Sequence, residues 1–212
     1  KCGDNINYVW FSDGRVILKG TGAMYDYGNF ESDNKSPFYD SENVKSVVFS
    51  EEITSVGEFA FVFCNNLKSA TLPSTLTTIK RNGFMPHIDQ YIYHHELYGL
   101  ATLKIPNKVT ELARFAFSGT QLQTVTIPSS VVTVGDQVFA ECQKLITVRY
   151  GGKVISDRMF VRCVKLTNFT ITNTCKDIVG GCFNYCEALT ELTYEGTKQD
   201  RLPILLKGRP SG

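Results

Sequence analysis

The sequence lacks the features that mark a membrane protein, a nucleic-acid-binding protein or a common type of enzyme. No apolar run approaches the roughly 18 residues of a membrane-spanning helix. The formal net charge is only +1, which argues against nucleic acid as a partner. The G-x-S-x-G, P-loop and G-x-G-x-x-G motifs of common catalytic and nucleotide sites are missing. We therefore expect a chain without catalysis, cofactor or membrane span.

What the sequence has instead is a pattern that repeats about every 23 residues. Its anchor is a phenylalanine that recurs at Phe61, Phe84, Phe117, Phe139, Phe160 and Phe183. An aliphatic residue stands five positions before each of them. Further back lies a strand-like apolar triplet, which runs from Val44/Val47/Phe49 in the first copy to Leu189/Leu192/Tyr194 in the last. Such self-similarity predicts a solenoid, in which stacked turns share one apolar interior.

The residues between these anchors resemble a known family. The frame L-x-x-[VI]-x-I-P, then V-T-x-[VI]-G, then A-F-x-x-C-x-x-L is similar to the leucine-rich repeat of BspA-like bacterial surface proteins. The matching residues are the prolines Pro73, Pro106 and Pro128, the glycines Gly57 and Gly135, and the cysteines Cys64, Cys142, Cys163 and Cys186. The resemblance implies a right-handed leucine-rich-repeat solenoid that acts at the cell surface or outside the cell in binding or adhesion, without catalysis.

We predict three regions in the chain. Residues 1–43 form an N-terminal cap, in which two β-rich runs around Ser12-Asp13-Gly14 make a hairpin. Residues 44–194 form the solenoid of about seven turns, with parallel strands on the concave face and an insertion at 86–99. We expect short segments on the convex side, and the sequence pattern does not show whether they are helical, 3₁₀ or strands. Residues 195–212 form a C-terminal cap and tail.

The seven cysteines are explained largely by the repeat. Four of them share one inward position of the repeat, three residues after the phenylalanine, while Cys182 replaces Ala60 and Cys175 replaces Ile53. Cysteine packs as a small hydrophobe, so these positions predict buried thiols. Equivalent Cβ atoms of stacked turns point the same way, which is poor geometry for a disulfide. We therefore expect free thiols rather than cross-links or a zinc site.

The insertion is the first candidate binding site. It holds all three histidines, and its candidate contact residues are Tyr91, Tyr93, His94, His95 and Tyr98. Tyrosine provides a large rigid contact surface with a hydroxyl group, which suits recognition of protein or glycan. One hypothesis is a projecting contact loop; the alternative is a loop that folds onto the solenoid. A metal site is a further alternative, although adjacent histidines seldom reach one ion.

The outer positions of the strands are the second candidate site. They carry mainly threonine and serine, together with Lys104 and Arg149. A solvated ladder of hydroxyl groups is the structural interpretation. The functional one is a weakly positive concave face that binds a protein. On this hypothesis the partner is a host extracellular-matrix or cell-surface protein, with a glycan also possible, and the chain is a monomer. The alternative function is a structural spacer with no ligand of its own.

Overall fold

The computed structural model describes residues 1–29, 31–86 and 98–196. Within these ranges the regular secondary structure consists of short β-strands, and no helix is present. Their bounds are β1 Asn5–Trp10, β2 Arg15–Ala23, β3 Ser46–Phe49, β4 Ile53–Val56, β5 Ser69–Thr71, β6 Thr78–Ile79, β7 Thr102–Leu103, β8 Glu111–Leu112, β9 Thr124–Ile127, β10 Thr133–Val134, β11 Thr147–Tyr150, β12 Val154–Ile155, β13 Asn168–Thr172, β14 Asp177–Ile178 and β15 Leu192–Glu195.

From β3 onward, each complete turn of the chain contributes one strand to each of two parallel ladders. The first ladder runs β2-β3-β5-β7 and then β9-β11-β13-β15. The second ladder runs β2-β4-β6-β8-β10 and then β12-β14. Equivalent repeat positions pair directly, as Val47 does with Ala70 and Val148 with Phe169. The solenoid predicted from the period is thus confirmed, and the convex side consists of short strands and turns.

The N-terminal hairpin is continuous with these ladders. β1 pairs antiparallel with β2, and the first half of β2 pairs in parallel with β3. The end of β2 passes to the other side of the molecule and pairs with β4. One long strand therefore begins both ladders. Its role as a cap for the apolar interior stays a prediction.

The phenylalanines form one column through the core. Neighbouring rings stack with centroids 5.0 to 5.9 Å apart and interplanar angles of 3 to 15°. The column begins one turn earlier than predicted from the sequence, because Phe38 stacks on Phe61 with centroids 5.0 Å apart. Phe38 lies 23 residues before Phe61, so the period itself contained this signal. Ring stacking thus extends into the segment predicted as the cap.

The segment around each phenylalanine is neither a helix nor a strand but a chain of turns. In the first complete repeat, Phe59 and Phe63 have φ values of 52° and 61°, in the left-handed region. This geometry aims every second N–H group at the next turn: Phe59 donates to the carbonyl of Arg81 at 3.0 Å, and Phe61 to that of Gly83 at 2.9 Å. The turns therefore add a third set of hydrogen bonds between repeats.

All seven cysteines are buried and free. Four of them lie behind the phenylalanine column and donate to the carbonyl of the preceding phenylalanine. These bonds are Cys64 to Phe38 at 2.9 Å, Cys142 to Phe117 at 3.3 Å, Cys163 to Phe139 at 3.2 Å and Cys186 to Phe160 at 3.0 Å. The thiols thus link successive turns, and the predicted burial is confirmed. Burial raises the pKa of the Cys64 and Cys182 thiols to about 12.

These thiols are expected to resist modification while the protein is folded. At pH 8 a thiol with a pKa of about 12 is ionised about a thousandfold less than one with the ordinary value of 9.0. Because all seven thiols are buried, Ellman's reagent should modify fewer than one thiol per native molecule within an hour, and all seven in concentrated guanidinium. Rapid modification of several thiols in the native protein would contradict the buried arrangement.

Candidate binding surface

The solvent-exposed side of the first ladder, here called the strand face, carries the outward residues of every turn. Side chains alternate along β9 and β11, so that Val125 and Val148 are buried while Thr126 and Arg149 are exposed. Among the described residues, no strand pairing joins β7 to β9, although the Gln121 N–H donates to the Leu100 carbonyl at 2.8 Å. The strand face therefore has two panels, one formed by β2, β3, β5 and β7, the other by β9, β11, β13 and β15.

Lys104 follows β7 in the first panel. Its side chain is exposed and makes no ion pair with any residue in the described ranges. Three further exposed lysines, Lys19, Lys45 and Lys68, lie in or beside the same panel. Desolvation and, secondarily, the ammonium of Lys144 lower the pKa of Lys68. The first panel is therefore a cationic surface among serine and threonine hydroxyl groups.

Arg149 occupies the second panel and is not a free cation. Its guanidinium forms an ion pair with the carboxylate of Glu195 on β15, and both side chains are about half exposed. The hydrogen bond between them raises the pKa of Arg149 and lowers that of Glu195. Lys104 and Arg149 therefore lie in different panels of the strand face, and their shared role in binding stays a prediction. Glu195 was missed, although it follows Arg149 by 46 residues, or two periods.

Only the two ends of the insertion at 86–99 lie within the described residues. Tyr91, Tyr93, His94 and His95 lie outside the described residues, and their role in binding stays a prediction. Tyr98 is described and is half-buried. The Gly99 N–H donates to the Asn65 carbonyl at 2.8 Å, and a Cβ on Gly99 would lie 3.0 Å from Cγ of Pro86. The two ends of the insertion thus meet beside the first panel.

No metal site or membrane-spanning helix is found in the described part of the chain. Its His, Cys, Asp and Glu residues form no group of three or more that could hold a metal ion. The three histidines considered for such a site fall outside the described ranges. Within those ranges, no helix has the length and apolar character needed to cross a membrane.

The parallel ladders, the phenylalanine column and the stacked turns together define a leucine-rich-repeat solenoid. The chain belongs to the BspA type leucine rich repeat family, whose model matches six copies over residues 31–87 and 86–200. A comparison with curated proteins found no match.

Three solved structures show the same fold. A leucine-rich repeat protein from Bacteroides ovatus is 23% identical with a TM-score of 0.62, over 91% of this chain and 52% of that one. The T. pallidum leucine rich repeat protein TpLRR is 21% identical with a TM-score of 0.60, over 90% and 91%. The pneumococcal vaccine antigen PcpA is 16% identical with a TM-score of 0.54, over 91% and 49%. This chain thus spans about half the length of the first and third.

Proposed function

We propose that this chain is a non-catalytic protein-binding module of a bacterial cell-surface protein. It contacts a host or neighbouring-cell protein through the first panel of the strand face, and the insertion at 86–99 borders that contact. The observation that carries the proposal is the position of the exposed Lys104 and its neighbouring lysines beside the base of the insertion. Family membership and the likeness to a pneumococcal vaccine antigen support a location at the cell surface.

The first panel is suited to a polar or acidic protein surface. Its outward hydroxyl groups can donate and accept hydrogen bonds, and its lysines attract carboxylates. Because these side chains are exposed, their charges steer association and set specificity more than they add affinity. The expected complex is therefore sensitive to salt.

Reversing two charges of this panel is expected to weaken binding. The double variant Lys68→Glu/Lys104→Glu replaces attraction by repulsion and should raise the Kd for an extracellular-matrix protein at least about tenfold. The measurement is biolayer interferometry against purified matrix proteins, with circular dichroism to verify folding. Arg149→Gln is the matched control: its charge is already neutralised by Glu195, so the Kd should change less than about twofold.

Removing the insertion tests the second part of the contact and the alternative function. Deletion of residues 88–98 should reduce binding while leaving the solenoid folded, because the ends of the insertion already meet at Pro86 and Gly99. Equal binding by the deletion variant would restrict the contact to the strand face. If no tested protein binds the unmodified chain, the structural spacer becomes the better account.

A further inference from the structure

Strand β1 flanks the first ladder: one of its edges pairs with β2, and the other is only partly covered by the described residues. The Phe11 N–H donates to the Arg15 carbonyl at 2.9 Å, which identifies Phe11 and Arg15 as a hydrogen-bonded pair. Hydrogen-bonded and non-hydrogen-bonded pairs alternate along an antiparallel ladder. In the observed register, Val9 and Asn7 therefore bond to β2. The opposite edge of β2 faces β3, since the Ser50 N–H donates to the Leu18 carbonyl at 2.9 Å.

It follows that the backbone groups of Ile6, Tyr8 and Trp10 point to the open edge. Those of Ile6 are occupied by the N-terminal turn: Ile6 accepts from the Cys2 N–H at 3.0 Å and donates to the Gly3 carbonyl at 3.3 Å. Tyr8 and Trp10 have no backbone partner on this side among the described residues. Two residues therefore present their N–H and carbonyl groups outward.

The N-terminal turn covers this edge at Ile6, but at Tyr8 and Trp10 the edge lacks the sequence features that protect most edge strands from pairing. Natural edges are blunted by charged residues, prolines or bulges. Residues 5–11 contain no charged residue and no proline, and the β1 register is regular. Three consecutive apolar side chains are also exposed, with Val9 at 41%, Trp10 at 37% and Phe11 at 37%. The edge is thus suited to adding another strand.

We propose that β1 pairs with β1 of a second copy of this chain, antiparallel, about a two-fold axis at Val9. Tyr8 of each copy then lies opposite Trp10 of the other, and the two pairs exchange about four backbone hydrogen bonds. Val9 faces its own equivalent in a non-hydrogen-bonded pair, where side chains are closest. The first ladders of the two copies join into one continuous sheet.

The side chains favour a second copy over an unrelated strand, because the pattern of β1 is complementary to itself. Tyr8 and Trp10 already pack on Phe38, with ring centroids 5.0 and 6.0 Å away. The two-fold sets Trp10 of one copy beside Tyr8 of the other and extends this aromatic cluster. On the other side of the sheet, the two exposed Val9 side chains cover each other.

Charges at the ends of the strand do not oppose this arrangement strongly. Asp4 and Asp13 flank the edge, but the Asp4 carboxylate already accepts from the Tyr25 hydroxyl at 2.9 Å, and Asp13 lies 4.0 Å from Arg15. The head-to-head dimer would present two strand faces at once, which raises avidity for a partner that is repeated on a surface. This proposal departs from the monomer expected from the sequence.

The test is a charge at the two-fold axis. Val9→Lys places two ammonium groups directly opposite each other and should raise the dimer dissociation constant at least about tenfold. Val132→Lys is the matched control, because it adds the same charge at a valine that is 52% exposed in a distant turn. Analytical ultracentrifugation gives the dissociation constant. The fluorescence of Trp10, the only tryptophan, should shift to the blue as concentration rises, since dimerisation buries its ring.

A mixing experiment separates pairing from a folding defect. Val9→Lys and Val9→Glu chains should each be monomeric alone, and an equimolar mixture should form a dimer, because opposite charges then meet at the axis. An unmodified chain that stays monomeric at all concentrations would overturn the proposal. So would a dimer that is equally stable in the Val9→Lys variant, since its contact would lie elsewhere.

Discussion

Phe139→Ala is expected to lower the free energy of unfolding by about 4 kcal/mol. The Phe139 ring is completely buried and lies between Phe117 and Phe160, with centroids 5.3 and 5.6 Å away. The substitution removes the ring from both stacked pairs and leaves a cavity between three turns. The backbone on either side cannot close the gap readily, because the Phe139 N–H and its neighbours are held by hydrogen bonds to the next turn.

The same change should also make unfolding less cooperative. In a solenoid each turn contacts only its neighbours, so stability is close to a sum of interfaces between adjacent turns. A defect at Phe139 weakens the centre of the stack, where the two halves can then unfold separately. Guanidinium titrations followed by circular dichroism and by Trp10 fluorescence should coincide for the unmodified protein and diverge for the variant, since Trp10 reports on the N-terminal half.

Ile146→Ala is the control for this prediction. Ile146 lies close to Phe139 in sequence, but its side chain is 40% exposed. Its truncation should change the free energy of unfolding by only about 0.5 kcal/mol and leave the two titrations coincident. If Phe139→Ala were no more destabilising than this control, the phenylalanine column could not be a principal element of the core.

Much of the core could be predicted from the sequence, because each buried position recurs once per turn. Phe61 and Cys64 were identified by their equivalents in later turns rather than by their own surroundings. The same logic would have reached Phe38, which lacks the usual apolar triplet before it but keeps the period. Repetition thus converts a weak local signal into a strong one, since stacked turns must place equivalent side chains in one interior.

The interruptions of the ladders could not be predicted in detail, although both lie where the period fails. In the part of the chain that the structure describes, the first ladder breaks between β7 and β9, after the turn that holds the insertion. Among the described residues, the second ladder breaks between β10 and β12, where the turn is short. There the Tyr150 hydroxyl donates to the Val154 carbonyl, and a Cβ on Gly152 would lie 2.8 Å from that hydroxyl oxygen. This turn advances 21 residues, from Leu145 to Leu166, instead of about 23, and the Tyr150 ring packs against Gly152.

The candidate binding residues were harder to judge, because exposed side chains lack the constraint that repetition places on the core. The period predicts that Lys104 and Arg149 point outward, and both do. It does not show which one retains a free charge. That difference depends on Glu195, two turns beyond Arg149, and on long side chains that reach across the intervening strand. An ion-pair partner in another turn, such as Glu195 for Arg149, can lie a whole number of periods away in the sequence.

Gly57→Ala is expected to lower the free energy of unfolding by about 3 kcal/mol. Gly57 and Gly135 occupy equivalent positions of two repeats, and neither is required there by a positive φ. The structure shows a different reason, which is close approach of the preceding turn. A Cβ on Gly57 would lie 1.8 Å from the Tyr25 carbonyl oxygen, and one on Gly135 would lie 2.4 Å from the Arg114 nitrogen. Both obstacles are backbone atoms, so no side-chain rotation can relieve the clash.

Gly180→Ala separates this steric effect from the general effect of replacing glycine. A Cβ on Gly180 would meet no atom within 4 Å, and Gly180 has no positive φ. Its replacement should leave the free energy of unfolding unchanged or raise it by about 0.5 kcal/mol, because alanine has less conformational freedom in the unfolded chain. Chemical denaturation of both variants provides the comparison. Equal stabilities would mean that the turns are spaced more widely at Gly57 than the structure shows, because only close backbone contact makes that position intolerant of a methyl group.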